Sequence, residues 1–322
     1  MKNKIFFIGI LICLCLCACS TGDTVSGNSE TMRSSSQTEE DDEKTSFEKI
    51  KIGAANIQLE FSEYQYGVFA LDTDGNLYFG NEDSNSMVLV DTEVKDFDYD
   101  DEAGALYVLK RNGDLLSSRD SEEYSEGQPL SLFCHNDNAE KISYPLLMLS
   151  DGSVLRYQWE TDAWNSLDIT AKKIDEAALI DDNDTLWYLD YSAEALQKIA
   201  ENVIDCSYSA RNEAYDSSNI WYITSDHTLH IYQTEKTESE ISAFPENIVA
   251  VAGDMGHYLV QQEDGTLLYG SLTDPATELL GIRGQGHSMD FFGFYFCTYI
   301  DEKGKIHLDR RELGTYEFFV SQ

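Results

Sequence analysis

Basic side chains are scarce in this chain. Its 322 residues contain 22 lysines and arginines against 59 aspartates and glutamates, a formal net charge of −37 at pH 7. Phosphate backbones and anionic lipid headgroups repel so acidic a chain, which argues against nucleic-acid binding. Solubility at a cell surface is the simpler interpretation of the acidity, and attraction of a cationic partner is the alternative.

Cysteine is sparse outside the first 20 residues. Four of the seven cysteines fall within residues 13–19, and Cys134, Cys206 and Cys297 lie far apart. An odd number without close spacing argues against both a disulfide framework and a structural zinc site. We expect small buried thiols, with one incidental disulfide as the alternative.

Motifs for catalysis and for metal binding are also missing. The chain has no serine-centred nucleophile elbow, no His-Glu-x-x-His helix and no phosphate-binding glycine loop. His227 and His230 have the spacing of metal ligands only if they lie on a helix. The acidic stretch 96–102 is interpreted as a solvated loop, with a calcium site as the alternative. We therefore predict no cofactor and no bound metal.

The N terminus has the features of an exported chain. MKNK precedes IFFIGILICLCLCA, an uncharged apolar segment too short for a membrane-spanning helix and typical of a secretory signal. Leu16-Cys17-Ala18-Cys19 resembles the lipobox of bacterial lipoproteins, which implies cleavage before Cys19 and a diacylglyceryl group on its sulfur. An ordinary signal peptide with coincidental cysteines is the alternative. We predict a signal peptide over 1–18 and a lipid-anchored, extracytoplasmic location at the cell membrane.

Residues 19–46 are predicted to be the lipidated cysteine and a disordered tether. After Cys19 they contain almost no apolar side chains and include an acidic run at 39–43. Such a segment buries too little apolar surface to offset its ordering entropy. A flexible coil of this length reaches about 30 Å, which would hold a domain at 47–322 clear of the bilayer.

A hairpin-like unit recurs seven times after the tether. Each copy has two β-rich runs around a two-residue turn, and the copies lie at 67–80, 105–118, 145–158, 177–190, 220–233, 257–270 and 296–309. The second turn residues are Gly75, Gly113, Gly152, Asp184, His227, Gly265 and Gly304. Glycine suits this position because one turn residue must take positive φ, a conformation that Asp and His tolerate better than most side chains.

Strand-like segments also precede and follow most hairpins, which gives four short strands in roughly 40 residues. The middle strands are continuously apolar, as expected if stacked sheets bury both faces. No long 3.6-residue periodicity supports helices. The predicted fold class is therefore all-β: a seven-bladed β-propeller of four-stranded antiparallel blades.

Residues 246–270, ENIVAVAGDMGHYLVQQEDGTLLYG, resemble the repeat of the regulator-of-chromosome-condensation type. The match rests on Val249, Ala252, Gly253, His257, Leu259, Asp264, Gly265, Leu267, Tyr269 and Gly270, and the first hairpin repeats part of it. The resemblance implies a seven-bladed propeller. It does not extend to the nuclear exchange activity of that family, which an acidic, lipid-anchored chain does not support. WD-type and kelch-type propellers are less similar.

Loops on a rigid scaffold carry most binding residues. The 43-residue step between Asp184 and His227 contains an enlarged segment, 207–218, in which Tyr208, Arg211 and Tyr215 are residue types that interfaces favour. We predict a monomeric, non-catalytic module that binds an unidentified protein or glycan of the envelope or surroundings. The alternative is an enzyme that acts on a saccharide through carboxylates facing the propeller channel.

Overall fold

The computed structural model describes residues 58–62, 67–81, 86–100, 103–119, 127–209, 218–234, 244–254, 256–273, 276–292, 296–301, 306–310 and 314–320. All of them belong to one compact unit, Ser46–Gln322. The predicted signal peptide, Cys19, the tether, Arg211, Tyr215 and Gly304 lie outside the described residues. Within the described part of the chain, no helix is long and apolar enough to cross a membrane.

The described residues form 25 strands arranged in seven successive blades. Blades 1 to 3 contain β1 (Gln58–Ser62), β2 (Gly67–Leu71), β3 (Leu77–Asn81) and β4 (Ser86–Asp91); β5 (Val94–Asp100), β6 (Ala105–Lys110), β7 (Asp114–Ser117) and β8 (Ser131–His135); and β9 (Ala139–Ser143), β10 (Leu146–Leu149), β11 (Ser153–Gln158) and the first part of β12 (Ala163–Asp175). Blades 4 and 5 contain the second part of β12, β13 (Ala178–Asp181), β14 (Leu186–Asp190) and β15 (Ala195–Ala200); and β16 (Val203–Ser209), β17 (Asn219–Thr224) and β18 (Leu229–Gln233). Blades 6 and 7 contain β19 (Ile248–Asp254), β20 (His257–Gln262), β21 (Thr266–Ser271) and the first part of β22 (Thr277–Phe292); and the second part of β22, β23 (Phe296–Asp301), β24 (Ile306–Arg310) and β25 (Gly314–Val320).

The blades close into a ring. Within each blade, strands pair antiparallel in sequence order, as in β5-β6-β7-β8. The first strands of successive blades contact one another in a cycle that returns from β22 to β1, and β25 pairs in parallel with β4 through Phe319 and Ser86. The predicted seven-bladed propeller is confirmed.

The hydrophobic core lies between blades rather than within them. Each of the six interfaces from blade 1–blade 2 to blade 6–blade 7 has its own cluster of buried side chains. At the first interface, Phe69 of β2 lies 6.1 Å from Phe97 of β5 between ring centroids. Every residue of β2 is buried, as the continuous apolar runs predicted.

The two cysteines with described side chains are free thiols. Cys206 is buried and Cys134 is half-buried. Burial raises the pKa of both thiols, so neither has the depressed pKa of a reactive thiolate. The side chain of Cys297 lies outside the described part of the chain.

The hairpin turns share one geometry. The φ angle is positive at Gly75, Gly113, Gly152, Asp184, His227 and Gly265, the six turn positions that the structure describes. In each turn the carbonyl of that residue accepts a backbone hydrogen bond from the start of the next blade or, at Gly113, from the connection that leads to it. Asp184 accepts one from Val203 N at 2.8 Å and Gly113 one from Asn136 N at 2.9 Å. Each turn therefore also fastens its blade to the following one.

The strands run between two ends of the propeller. We call the end with the turns at Gly75, Gly113, Gly152, Asp184, His227 and Gly265 the hairpin-turn face. The opposite end, where loops join first to second and third to fourth strands of each blade, is called the loop face. The loops at 143–146 and 158–163 of blade 3 belong to it.

Candidate binding surface

Aromatic side chains of blades 2 and 3 converge at the loop face. Tyr107 of β6 stacks on Tyr144, just after β9, with ring centroids 4.1 Å apart and planes 12° apart. Phe133 of β8 meets Tyr157 of β11 edge-on at 5.0 Å, and Tyr157 lies 5.5 Å from Trp164 of β12. Such tilted and edge-on pairs are favourable for aromatic rings. Four strands of two blades thus supply one continuous cluster.

An arginine completes this cluster. The Arg119 guanidinium lies 4.3 Å from the centroid of the Phe133 ring and 5.2 Å from that of Tyr157. Its Nη1 donates a hydrogen bond to Tyr157 Oη at 2.9 Å, and its Nη2 lies 3.4 Å from Asp162 Oδ1. The guanidinium is therefore held both by cation–π contacts with the two rings and by the opposite charge of Asp162.

Tyr157 links the arginine to the acid. Tyr157 Oη donates a hydrogen bond to Asp162 Oδ1. This hydrogen bond lowers the pKa of Asp162, whereas burial and the same contact raise the pKa of Tyr157. At neutral pH the site consequently has a neutral phenol between a guanidinium and a carboxylate.

One ring of the cluster faces solvent. Trp159, in the loop between β11 and β12, is 53 % exposed although it contacts Tyr144 and Tyr157 edge-on, at 6.1 and 6.0 Å. Glu160, Thr161 and Asp162 beside it are exposed as well. We call Arg119, Phe133, Tyr144, Tyr157, Trp159 and Trp164 the aromatic patch.

The loop that carries Trp159 is closed by local chemistry. Asp162 has φ of 52°, and Thr161 N donates a hydrogen bond to Gln158 O at 3.3 Å. Asn165 Nδ2 donates to Gln158 Oε1 at 2.7 Å across the base of the loop. The tight turn places Trp159 outside the strands, where its ring contacts Tyr144 and Tyr157.

The predicted site at Tyr208, Arg211 and Tyr215 is only partly described. Tyr208 is half-buried on β16; its ring stacks on Tyr188 of blade 4 at 6.5 Å, and its hydroxyl donates to Ser218 Oγ at 3.1 Å. These contacts make it a packing residue between blades 4 and 5. Because Arg211 and Tyr215 lie outside the described residues, the predicted site stays a prediction.

Sequence reasoning did not single out the aromatic patch. A signal was present, since two of the four tryptophans of the chain fall within six residues, at Trp159 and Trp164. Arg119 and Phe133 reach the same place from a separate segment, and nothing in their own sequence marks them.

The acidic stretch 96–102 was wrongly interpreted as a solvated loop. Residues 94–100 form strand β5. Asp96 accepts a hydrogen bond from Ile142 N in β9 at 2.7 Å, and Asp98 accepts one from Tyr144 N, just after β9, at 2.9 Å. The exposed edge of an inner strand needs partners for its backbone N–H groups, and carboxylates of the previous blade supply them.

The same arrangement recurs around the ring. Ser143 Oγ accepts from Glu176 N at 2.7 Å, and Asp205 Oδ2 accepts from Val251 N at 3.1 Å. Asp175 accepts from Tyr208 N at 3.4 Å. These side chains are ties between blades, so a structural role accounts for their position.

Two of these ties have perturbed acidity. Burial raises the pKa of Asp98 well above its usual range, and repulsion from Asp100, Asp96 and Asp175 raises it further. Burial also raises the pKa of Asp175, while Lys173 and Lys141 oppose the shift. A raised pKa is the property that a general acid of the saccharide-cleaving alternative would need, and among the described carboxylates these two have it.

The histidines considered as ligands pack into the scaffold. His227 lies in a turn, with its Nδ1 3.1 Å from Ile248 O, and His230 stacks on Tyr222 at 5.0 Å between centroids. Burial lowers the pKa of His230. Across the described part of the chain, no three or more His, Cys, Asp or Glu side chains are grouped so that they could hold a metal ion.

Comparison with known proteins identifies the fold alone. No family model and no curated protein matches the sequence. Among solved structures, the chain is similar to YCF48 bound to D1 peptide (TM-score 0.55, 10 % identity, 86 % of this chain and 97 % of that one), the WD40 repeats of RRP9 (0.52, 11 %, 84 % and 95 %) and the β-propeller domain of Myceliophteria thermophila Cps50 (Swd1) (0.51, 9 %, 81 % and 97 %). The chain is a β-propeller.

Proposed function

We propose that the chain is a lipid-anchored, extracytoplasmic module that binds a protein partner through the aromatic patch and performs no catalysis. The observation that carries this proposal is Trp159, a half-exposed indole on a cluster whose other rings are fixed by contacts between two blades. Tryptophan, tyrosine and arginine are the residues that most often dominate binding energy at protein interfaces. A pre-ordered cluster also loses little entropy when a partner arrives.

The location belongs to the proposal as well. The lipobox-like Leu16–Cys19 segment and the acidic tether support a domain that is anchored on the extracytoplasmic side of the cell membrane. The similar structure of YCF48 is described as bound to a peptide, which supports a propeller of this shape as a protein-binding scaffold. Neither observation concerns the identity of the partner.

The enzyme alternative is less well supported. Its best acids, Asp98 and Asp175, already accept backbone hydrogen bonds from the next blade. A general acid or nucleophile must instead reach a substrate atom. Trp159 of the aromatic patch, in contrast, leaves about half of its side chain open to solvent, where a partner can reach it.

Site-specific crosslinking on cells tests the proposal. A photoreactive phenylalanine analogue replaces Thr161, an exposed residue beside Trp159, in the full-length chain. We expect an adduct with a defined envelope or extracellular protein, and we expect Trp159→Ala to abolish it. The matched control places the same analogue at Asp151, an exposed residue of the hairpin-turn face in the same blade.

The anchor is tested in the same cells. Cys19→Ser should move the protein from the membrane fraction into the medium or periplasm. Equal adducts from Thr161 and Asp151, or a Trp159→Ala variant that crosslinks as well as the parent chain, would refute binding through the aromatic patch. Retention of the Cys19→Ser variant in the membrane would refute lipid anchoring.

A further inference from the structure

Acidic side chains surround the aromatic patch at the loop face. In the described loops of this face and the strand ends that border them, the acidic residues are Asp100, Glu160, Asp162, Asp175, Glu176, Asp190, Glu194 and Asp254. Two basic side chains are described there: Arg119, whose charge Asp162 compensates, and the buried Arg156, whose guanidinium lies 4.9 Å from the ring centroid of Tyr191 in the loop after β14. An approaching ligand therefore meets a negative surface around an aromatic platform, in a chain whose formal net charge is −37.

Arg119 shows how the aromatic patch accommodates a cation. Its guanidinium lies over Phe133 and Tyr157 while Asp162 balances its charge. Trp159 offers a second ring of the same cluster, and tryptophan is the best cation–π partner among side chains. Its plane is 86° from that of Tyr144 and 83° from that of Tyr157, and half of its surface remains open to solvent.

We propose that the aromatic patch binds a lysine- or arginine-bearing segment of a protein partner, with the cation over the exposed Trp159 ring and its charge balanced by Glu160. The inference rests on the proposed function and specifies the chemistry of the partner. Charge complementarity favours this occupant over a neutral saccharide, whose hydroxyls can donate hydrogen bonds to carboxylates but which carries no charge for the negative surface to attract. It also selects against anionic surfaces.

Tryptophan fluorine spectra of the full-length chain in nonionic detergent provide the test. The chain has four tryptophans, so a fluorotryptophan-labelled sample gives four resolvable signals, and Trp159→Phe assigns the one of interest. The probe is a short blocked glycine–lysine peptide with two lysines. The measurement uses physiological salt, where the screening length of about 8 Å suppresses long-range attraction to the acidic chain as a whole.

We expect the Trp159 signal to shift on addition of the lysine peptide and the acetylated peptide to bind far more weakly, because acetylation removes the charge. Trp159→Ala lacks the reporting signal, so its affinity is measured by titration calorimetry beside the parent chain, and it should be about 5-fold weaker, as the loss of one cation–π contact predicts. Glu160→Gln should weaken it about 2-fold, the size of one exposed ion pair.

The matched control is Glu194→Gln. Glu194 is an exposed acid in the corresponding loop of blade 4, on the same face. The substitution removes the same charge from the chain, but Glu194 lies outside the aromatic patch, so the affinity for the lysine peptide should not change. An equal loss in Glu160→Gln and Glu194→Gln would mean that only overall charge matters and would overturn the inference.

Three other results would also overturn the inference. These are equal binding of the acetylated peptide, full binding by Trp159→Ala, and a shift of the Trp159 signal with a neutral N-acetylglucosamine oligomer but not with the lysine peptide. If the photoreactive analogue at position 161 crosslinks a protein on cells while the lysine peptide does not bind, the inference fails and the proposed function stands. Failure of both experiments overturns both.

Discussion

The two faces of the propeller follow different rules. The hairpin-turn face repeats one design in all six described turns: a positive-φ residue whose carbonyl accepts a backbone hydrogen bond from the next blade or from the connection to it. Its cations are paired locally, as Lys110 is with Asp91 at 2.7 Å. The loop face carries the aromatic patch at the junction of blades 2 and 3, and the corresponding 190–195 loop of blade 4 has no tryptophan.

The difference separates scaffold from function. A feature repeated at each blade meets a requirement of every blade, namely a closed ring. The exposed tryptophan of the 158–163 loop is not repeated in the described 190–195 loop of blade 4, which belongs to the same ring, so closure of the ring does not require a tryptophan there. Since rigid scaffolds commonly place binding residues on their variable loops, the aromatic patch is the better site candidate.

The sharpest contrast is between two tryptophans. Trp221 is fully buried between blades 5 and 6, and a Cβ atom on Gly253 would lie 2.4 Å from Trp221 Cδ1, so the indole rests directly on that backbone. Trp221→Ala should lower the free energy of unfolding by about 3–5 kcal/mol because it leaves a large cavity. Trp159→Ala should lower it by about 1 kcal/mol or less.

Urea unfolding of the two full-length variants, followed by far-ultraviolet circular dichroism, measures the difference. Crosslinking from Thr161 in the same variants gives the second readout. The comparison predicts opposite orders: Trp221→Ala is the worse for stability and Trp159→Ala the worse for binding. If Trp159→Ala were as destabilising as Trp221→Ala, Trp159 would belong to the scaffold and the proposed site would lose its main argument.

The sequence predicts the seven hairpin turns well, but it does not predict the side-chain hydrogen bonds that join the first strands of neighbouring blades. Positive φ limits the residues allowed at each turn, so a regular series such as Gly113, Gly152 and Asp184 is visible in one sequence. The seven blades follow from that series. The ties of Asp96 and Asp98 were missed because their partners, Ile142 N and Tyr144 N, lie 46 residues away in the next blade. The sequence alone does not distinguish a carboxylate that accepts a hydrogen bond from a backbone N–H group from one that is exposed to solvent.

The aromatic patch escapes sequence reasoning for a similar reason. Arg119, Phe133 and the 157–164 segment meet only because blade 2 stacks on blade 3. Aromatic residues near strand ends are usually core residues, and most of this cluster is indeed buried. The exposure of Trp159 depends on a tight loop whose geometry no periodicity reveals.

A pair of glycines tests the repeated turn. Gly113 has φ of 88°, and an added Cβ would lie 2.5 Å from Asn136 O in the connection from blade 2 to blade 3. Gly127 has φ of 78° but no atom within 4 Å of such a Cβ. Gly113→Ala should cost about 1–3 kcal/mol of unfolding free energy, and Gly127→Ala about 1 kcal/mol from φ alone.

Urea midpoints of the two variants measure the contribution of the blade-to-blade contact. Equal losses would show that only local φ matters and that the turn does not fasten one blade to the next. Neither substitution touches the aromatic patch, so binding of the lysine peptide by the folded protein should be unchanged in both.

The smallest effect is expected at His135 on the hairpin-turn face. Its Nδ1 lies 2.7 Å from Asp114 Oδ1 and its Nε2 3.1 Å from Asp137 Oδ1. The hydrogen bond to Asp114, followed by the charge of Asp137, raises the pKa of His135, and that of Asp114 is lowered in return. Both shifts favour the ionised pair in the folded chain.

The sign of the pH dependence follows from the raised pKa. The contribution of His135 to stability is fully present below its unfolded pKa of about 6.5 and is lost as pH rises through the higher folded value. His135→Asn should therefore flatten unfolding midpoints around and above pH 6.5, and only slightly, because solvent screens the exposed pair. Binding at the aromatic patch should show no such step, since no described histidine belongs to it. If the affinity at the aromatic patch changed over the same pH range in which His135 titrates, the two faces would be coupled. The site assignment, which depends on their independence, would then fail.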